Sequence, residues 1–550
     1  MGIKVAQQVS DECLRAAVCI VGAGAAGMTL ACEFDGSGLA VILLEAGGFK
    51  EEPSHSDVYR GSVVAPHPAS TEFRRIRFGG TTGVWGGRCV PLDPIDFERR
   101  DYIANSGWPI SHQDVARHYP RAMKYLDAGH DDFTVAGSLA KPRPTIEGFD
   151  GAGLVLPDQI ERYSWPTDFG TRYRAKLEQS NNVTVLLNAR CVALKRAAGG
   201  GRLEALEFID RAGKRRRLQA TTFILANGGI EAPRLLLASD PEGAGLGNTS
   251  DRVGRYYACH FENLFGRVVP HGADVAFHFE KTRDGVYCRR KFQFTESAQR
   301  EHRLVNTAFR LHFPNYSDAR HGSAVMSGIY LAKSTLLPEY RNILQPNEGD
   351  AAGTTLAHLR NVLMDFPHLV GFGYDFVFKR VLSRRKLPYT LVPNADGSYP
   401  LEFNCEQTPL ASSRVTLTGE SDRDGVPRVH LDWRVCDQDI ESACRGFMLL
   451  RNAMQRSPRC RLEFDEERLR ERMRRSVPLG GHHIGTTRMA ASAQQGVVDG
   501  DCALFELPNL YVASSAVFPT SGHANPTLTI VALAVRLATH LRLRLRPAAA

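Results

Sequence analysis

The chain has 550 residues, 43% apolar and 23% charged, with a formal net charge of +8. That balance belongs to an ordinary globular protein, and the length exceeds what one core usually fills, so two domains are expected. The 68 basic residues are dispersed among 60 acidic ones, so the charge reads as a solvated surface favouring anionic substrates and does not mark a nucleic-acid partner.

Twelve cysteines form no CxxC pair and no Cys/His ligand spacing, so neither a zinc site nor a redox dithiol is signalled, and no metal is expected. Scattered single thiols suit a reducing cytoplasm. The opening MGIKVAQQVSDECLR lacks the basic-then-apolar order of a secretory signal. No apolar run reaches about 18 residues, so no membrane span is expected. The closing LRLRLRPAAA reads as a frayed helix end, with membrane-surface contact as the minor alternative.

In chain order, residues 17–21 form an apolar run that ends in Gly22-Ala23-Gly24-Ala25-Ala26-Gly27 and passes into a helical segment. A second apolar run, 40–44, closes on Glu45. This is a strand, glycine turn, helix and strand with a terminal acid, the pattern of a dinucleotide site. Gly22 serves the tight turn, Gly24 the approach of a pyrophosphate, and Gly27 the packing of helix on strand. The helix N-terminus offers oriented N–H groups to phosphate, and Glu45 offers oxygens to ribose hydroxyls while disfavouring a 2′-phosphate.

Residues 51–70 read as loop. Residues 77–89, RFGGTTGVWGGRC, hold five glycines, too many for a regular helix or a central strand; such a loop lies flat against a planar or phosphorylated ligand. Residues 96–104 and 112–128 carry helical spacing, with Ser111 as N-cap of the second. Residues 182–195 read as two strands continued by 203–209 and 215–220. Residues 222–229, TFILANGG, form a buried strand entering a glycine turn before a helix at 231–238. From 261 to 475 strand-like segments (414–418, 428–433) mix with helical ones (438–454), a separate domain on the substrate side.

The C-terminal part holds two histidines in a glycine-lined segment, GGHHIGTTRM from Gly480. In an extended segment His482 and His483 point to opposite faces, so at most one of them faces a given site. Later, NLYVASS breaks from strand to small-residue turn, and SGHANPT precedes a long apolar helix, 528–541, with Asn525 as N-cap and Pro526 at N1.

These motifs, in this order, resemble the glucose–methanol–choline (GMC) flavin oxidoreductases, and the match spans residues 15–545. Loop and tail are most similar to the bacterial sugar and alcohol dehydrogenase and pyranose oxidase branch. The resemblance implies an α/β fold with a Rossmann-like FAD domain assembled from both chain ends (12–260 and 476–546) and a mixed-sheet substrate domain (261–475). It implies non-covalent FAD, since Val84 stands where pyranose oxidases carry a flavin-linking histidine. It implies His482 and Asn525 as the catalytic pair; His523 does not match. For the cofactor it implies Gly22, Gly24, Gly27, Glu45, Gly79, Gly80, Thr82, Val192, Ser514, Ser515, Pro526 and Thr527, with Ser514 replacing the aspartate of many members.

The implied reaction suits the residues. Alcohol oxidation removes a hydroxyl proton, which a neutral imidazole is matched to accept, while an amide beside it stabilises the developing alkoxide. The hydride needs the flavin, because no side chain accepts it. The expected substrate is a small alcohol or sugar, and the expected electron acceptor is oxygen, a quinone or a redox protein. The alternative reading is a non-redox FAD-containing lyase of the same fold. The glycine cluster 243–247 follows a polar turn instead of a strand, so no second nucleotide site is expected.

Overall fold

The computed structural model describes residues 1–9, 13–164, 167–240, 243–332, 354–478 and 481–545. Its first sheet runs Gly2–Val5, Val183–Leu187, Val41–Leu44, Leu14–Val21, Arg215–Leu225, Leu507–Val512, Ala503–Leu504. The first six strands are mutually parallel, in registers such as Val18↔Val41, Val18↔Thr222 and Phe223↔Leu510. Val41–Leu44 is buried throughout, as a parallel strand covered on both faces must be. The helices Ala25–Phe34 and Thr527–Arg544 pack together in the same core as this sheet, so the two ends of the chain build one layered unit. Ala189–Arg196 and Leu203–Asp210 extend it as an antiparallel meander.

A second, antiparallel sheet runs Cys460–Glu463, Phe261–Pro270, Tyr399–Cys405, Thr307–Leu311, Tyr287–Phe294, Val155–Tyr163, Arg88–Cys89. One face packs on the helix Asp437–Gln455, where Phe447 meets Phe309 and Phe403 edge-on at 5.3 and 5.1 Å between ring centres. The second sheet takes Arg88–Cys89 and Val155–Tyr163 from the block assigned to the first domain, so its strands cross the boundary expected at 260. Arg414–Ser421 and Pro427–Asp432 form a separate small sheet with Ser62–Val63, inside the stretch expected to be loop.

Helix ends differ from expectation for local reasons. Ser111 caps His112–Ala116 by accepting from Asp114 N–H, but the helix then breaks, because Pro120 sits in the first turn of a new one, Tyr119–Leu126. The helix expected over 96–104 is only Pro94–Phe97. The backbone turns extended at Glu98, and Arg100 runs inward to a fully buried ion pair with Glu406 at 2.6 Å. The helix after TFILANGG begins three residues early, at Gly228. Among the described residues no helix is long and apolar enough to cross a membrane, and all twelve cysteines are free.

Candidate active site

The glycine turn has the geometry its spacing requires. Gly22 is left-handed, φ +100°. A Cβ on Gly27 would stand 1.9 Å from the Gly22 carbonyl oxygen, whereas one on Gly24 would meet nothing within 4 Å. Gly24 precedes the helix Ala25–Phe34, and no side chain caps that end. The Glu45 carboxylate accepts from Ala23 N–H at 2.9 Å and Gly47 N–H at 2.8 Å. Burial raises its carboxyl to about 7 against the lowering pull of those two bonds.

The second glycine loop lies on the first. Gly79 N–H donates to the Ala23 carbonyl at 3.0 Å, and a Cβ on Gly80 would stand 3.0 Å from Gly24 Cα. Gly79 and Gly80 have φ +97° and +53°. Thr82 is committed to the fold: its hydroxyl donates to the Gly79 carbonyl at 2.6 Å and accepts from Phe169 N–H at 3.0 Å. Val192 lies on the Ala189–Arg196 strand, where the pairing slips between Cys191 and Ala193, a bulge that takes one residue out of the ladder. Its side chain packs on Ile209 and Val426. Asn227, at the end of the Arg215–Leu225 strand, keeps a buried side-chain oxygen without a hydrogen-bond partner.

At the other end of the site the histidine segment is fixed by its backbone; Gly480 lies outside the described residues. Ile484 exchanges two backbone bonds with Ala258, and Gly485 N–H donates to the Ser515 carbonyl. Ser515 Oγ donates to the His483 carbonyl at 2.7 Å, and Ser514 Oγ accepts from Ala516 N–H at 3.2 Å. The two rings diverge. His482 Nε2 lies 3.0 Å from Asn525 Nδ2 and its Nδ1 lies 2.6 Å from His260 Nδ1; His483 turns to Tyr257, 6.2 Å between ring centres.

The expected cap is corrected. The long helix begins at Thr527, Pro526 is its N-cap, and no side chain caps it. Asn525 instead gives its amide to His482, and its Oδ1 is buried without a partner. Burial first, and then the fields of His260, Arg88, His483 and Arg310, hold His482 well below the ordinary histidine value; the ring is neutral near pH 7. His523, two residues before Asn525, is fully buried. Its Nε2 is 3.0 Å from Lys291 Nζ and 3.3 Å from Asp93.

Sequence reasoning missed the wall facing this pair. In Tyr287–Phe294 the alternation sends Phe292 and Phe294 into the core and Arg289, Lys291 and Gln293 to the opposite face. Arg310 pairs with Glu161 at 2.6 Å, Arg289 with Glu402 at 3.1 Å, and Arg88 approaches Glu161 at 3.5 Å. All five are buried or half-buried. Burial brings Lys291 down to about 8 and raises Glu262 to about 7, in the second case with help from Glu402. The legible signal was the string YCRRKFQF, three consecutive charges inside a strand-like run. His260, at the entry to Phe261–Pro270, left no such signal.

Residues 409–534 match the family model for GMC oxidoreductase. The chain carries a GMC oxidoreductase domain. Over 96% of its length the chain is 22% identical to 2-methyl-1,2-propanediol dehydrogenase of Mycolicibacterium austroafricanum, of which it covers 95%. It is also 22% identical to the fructose dehydrogenase large subunit of Gluconobacter japonicus, over 96% of this chain and 98% of that one. A solved structure of formate oxidase from Aspergillus oryzae RIB40 aligns over 98% of this chain and 99% of its own, with TM-score 0.53 and 15% identity. That likeness establishes the shared fold.

Proposed function

We propose that this oxidoreductase binds FAD without covalent linkage and oxidises a CH–OH group of a small polyol or sugar to a carbonyl. The observation that carries the reading is the His482–Asn525 pair, 3.0 Å apart, with the imidazole held neutral by burial. The residues present fit FAD. The space above Gly24 is open, two helix starts lack side-chain caps, and Asn227 and Asn525 hold buried oxygens with no partner. Gly22, Gly24 and Gly27 would hold the pyrophosphate, Glu45 the ribose, Val192 the adenine by its backbone, and Gly79, Gly80, Ser514, Ser515, Pro526 and Thr527 the ring system. Thr82 serves the loop that does so. When bound, the flavin supplies the two-electron acceptor that side chains lack.

The chain's own groups do the rest. His482 Nε2 takes the hydroxyl proton, and Asn525 Nδ2 donates to the oxygen as negative charge grows on it. The charged wall of Arg289, Lys291, Arg310 and Glu402 offers donors and acceptors to neighbouring hydroxyls, which an apolar substrate could not use. The names of the two curated relatives, a diol dehydrogenase and a fructose dehydrogenase, agree with a polyhydroxylated substrate. We assign 12–260 and 476–546 to the FAD side, less the two strands Arg88–Cys89 and Val155–Tyr163, which join 261–475 on the substrate side. Free thiols throughout favour a cytoplasmic location.

Anaerobic bleaching of the flavin absorbance by a panel of sugars, polyols and apolar alcohols tests the reading. Sugars or polyols are expected to bleach it. A panel that leaves the flavin oxidised would refute alcohol oxidation, and bleaching confined to apolar alcohols would refute the role of the wall. Reoxidation by air, a quinone or a protein dye then identifies the acceptor.

A further inference from the structure

His482 is the end of a chain of three contacts, and the far end has only one possible polarity. His260 Nε2 faces the carbonyl oxygen of Ser521 at 3.3 Å, His260 Nδ1 faces His482 Nδ1 at 2.6 Å, and His482 Nε2 faces Asn525 Nδ2 at 3.0 Å. A carbonyl oxygen can only accept, so the hydrogen on His260 must be on Nε2. A neutral imidazole carries one hydrogen, which leaves His260 Nδ1 as an acceptor. Then His482 must carry its hydrogen on Nδ1, and its lone pair must be on Nε2, toward Asn525.

We infer that His260 is a positioning residue that sets the tautomer of His482, holding the hydrogen on Nδ1 so that the Nε2 lone pair stands toward Asn525, on the substrate side. This rests on His482 as the base, as proposed above. His260 is completely buried; the backbone of Ser521 and Gly522 favours charge on it, while His523 and Arg310 oppose it. Burial brings it down to about 3, so it stays neutral throughout the working range.

The same polarity orients Asn525. Its Nδ2 must point at His482, which places Oδ1 away from the ring, buried and without a partner among the described residues. A neutral acceptor behind the imidazole differs in kind from a carboxylate there. It fixes the tautomer and ring plane yet lends no negative charge to the imidazolium formed when the base takes its proton.

The test reads the tautomer directly, in protein with ¹⁵N-labelled histidine and its flavin bound, with no substrate added. His482→Gln identifies the ring by the signals it removes. Wild type is expected to show Nδ1 protonated and Nε2 bare. His260→Ala should move Nε2 toward the protonated position and lower the flavin reduction rate about 10²-fold, the scale of a misplaced group, in kcat more than in KM. His260→Asn, whose Oδ1 can accept where Nδ1 did, should restore both. If His482 in wild type carries its hydrogen on Nε2, or if His260→Ala leaves its tautomer unchanged, the inference is overturned. If His260→Ala does not fold, the wild-type spectrum still decides. A normal tautomer response in a protein that no alcohol reduces would sink the proposed reaction and leave this inference standing.

Discussion

Gly24 and Gly27 are three residues apart in one motif, and the structure separates their duties. Adding a methyl at Gly27 puts Cβ 1.9 Å from the Gly22 carbonyl oxygen and 3.3 Å from Ala226 Cβ. Real contacts of that kind begin near 3.0 Å, so strand end and helix start must part by about 1 Å. Gly22 cannot yield easily, because its N–H is tied to the Leu44 carbonyl at 2.8 Å. Overpacking commonly costs about 1–3 kcal/mol and more where backbone must move, so Gly27→Ala is expected to lose about 3 kcal/mol or more. At Gly24, φ is −78° and ψ −166°, an extended conformation open to any residue, and no atom lies within 4 Å. Gly24→Val should therefore stay within about 1 kcal/mol of wild type in the flavin-free fold, Val being a poorer N-cap than Gly. The added side chain fills the space over the helix N-terminus, and flavin affinity should fall by about 10–10²-fold, equivalent to roughly 1.4–2.8 kcal/mol. Urea unfolding of stripped protein followed by circular dichroism measures the first quantity, and flavin titration measures the second. Equal unfolding midpoints for the two variants, or wild-type flavin affinity in Gly24→Val, would refute the reasoning.

Three further outcomes follow from the site. His482→Ala should keep FAD and lose about 10²–10⁴ in flavin reduction, with His483→Ala near wild type because its ring faces Tyr257; a dead His483 variant beside an active His482 variant inverts the assignment. Asn525→Ala should lose rate without the stability loss of a missing cap, since its side chain caps nothing; a drop in urea stability of about 1 kcal/mol would restore the capping role. The base works when neutral and its value is lowered by burial, His260, Arg88, His483 and Arg310, so activity persists above that lowered value and fails only below it; a profile of kcat/KM for reduction that breaks at pH 6.5 or higher contradicts this. Acid precipitation should release the yellow colour to the supernatant, because Val84 has no nucleophile and burial keeps the Cys89 thiol protonated; colour in the pellet would reveal a covalent link.

The dinucleotide turn was legible because its constraints are local. Gly22, Gly24 and Gly27 answer to the backbone of one strand-turn-helix unit, and spacing alone encodes them. The alternation of His482 and His483 was legible for the same reason, since neighbouring residues in extended chain face opposite ways. Helix ends were less so. Pro120 marked its break in the letters of the chain, whereas the early stop after Phe97 depends on Glu406, 306 residues beyond Arg100.

Only the tertiary structure decided what Asn525 does. Its place before Pro526 has the signature of a cap, and the local signal is sound, but an imidazole from 43 residues away took the amide. The charged wall and His260 are of the same kind. Arg310 and Glu161 are 149 residues apart, and His260 and His482 are 222 apart. Pairing energies between such groups depend on burial and on distances of about 3 Å, which the strand order of the second sheet sets and no run of neighbouring residues records.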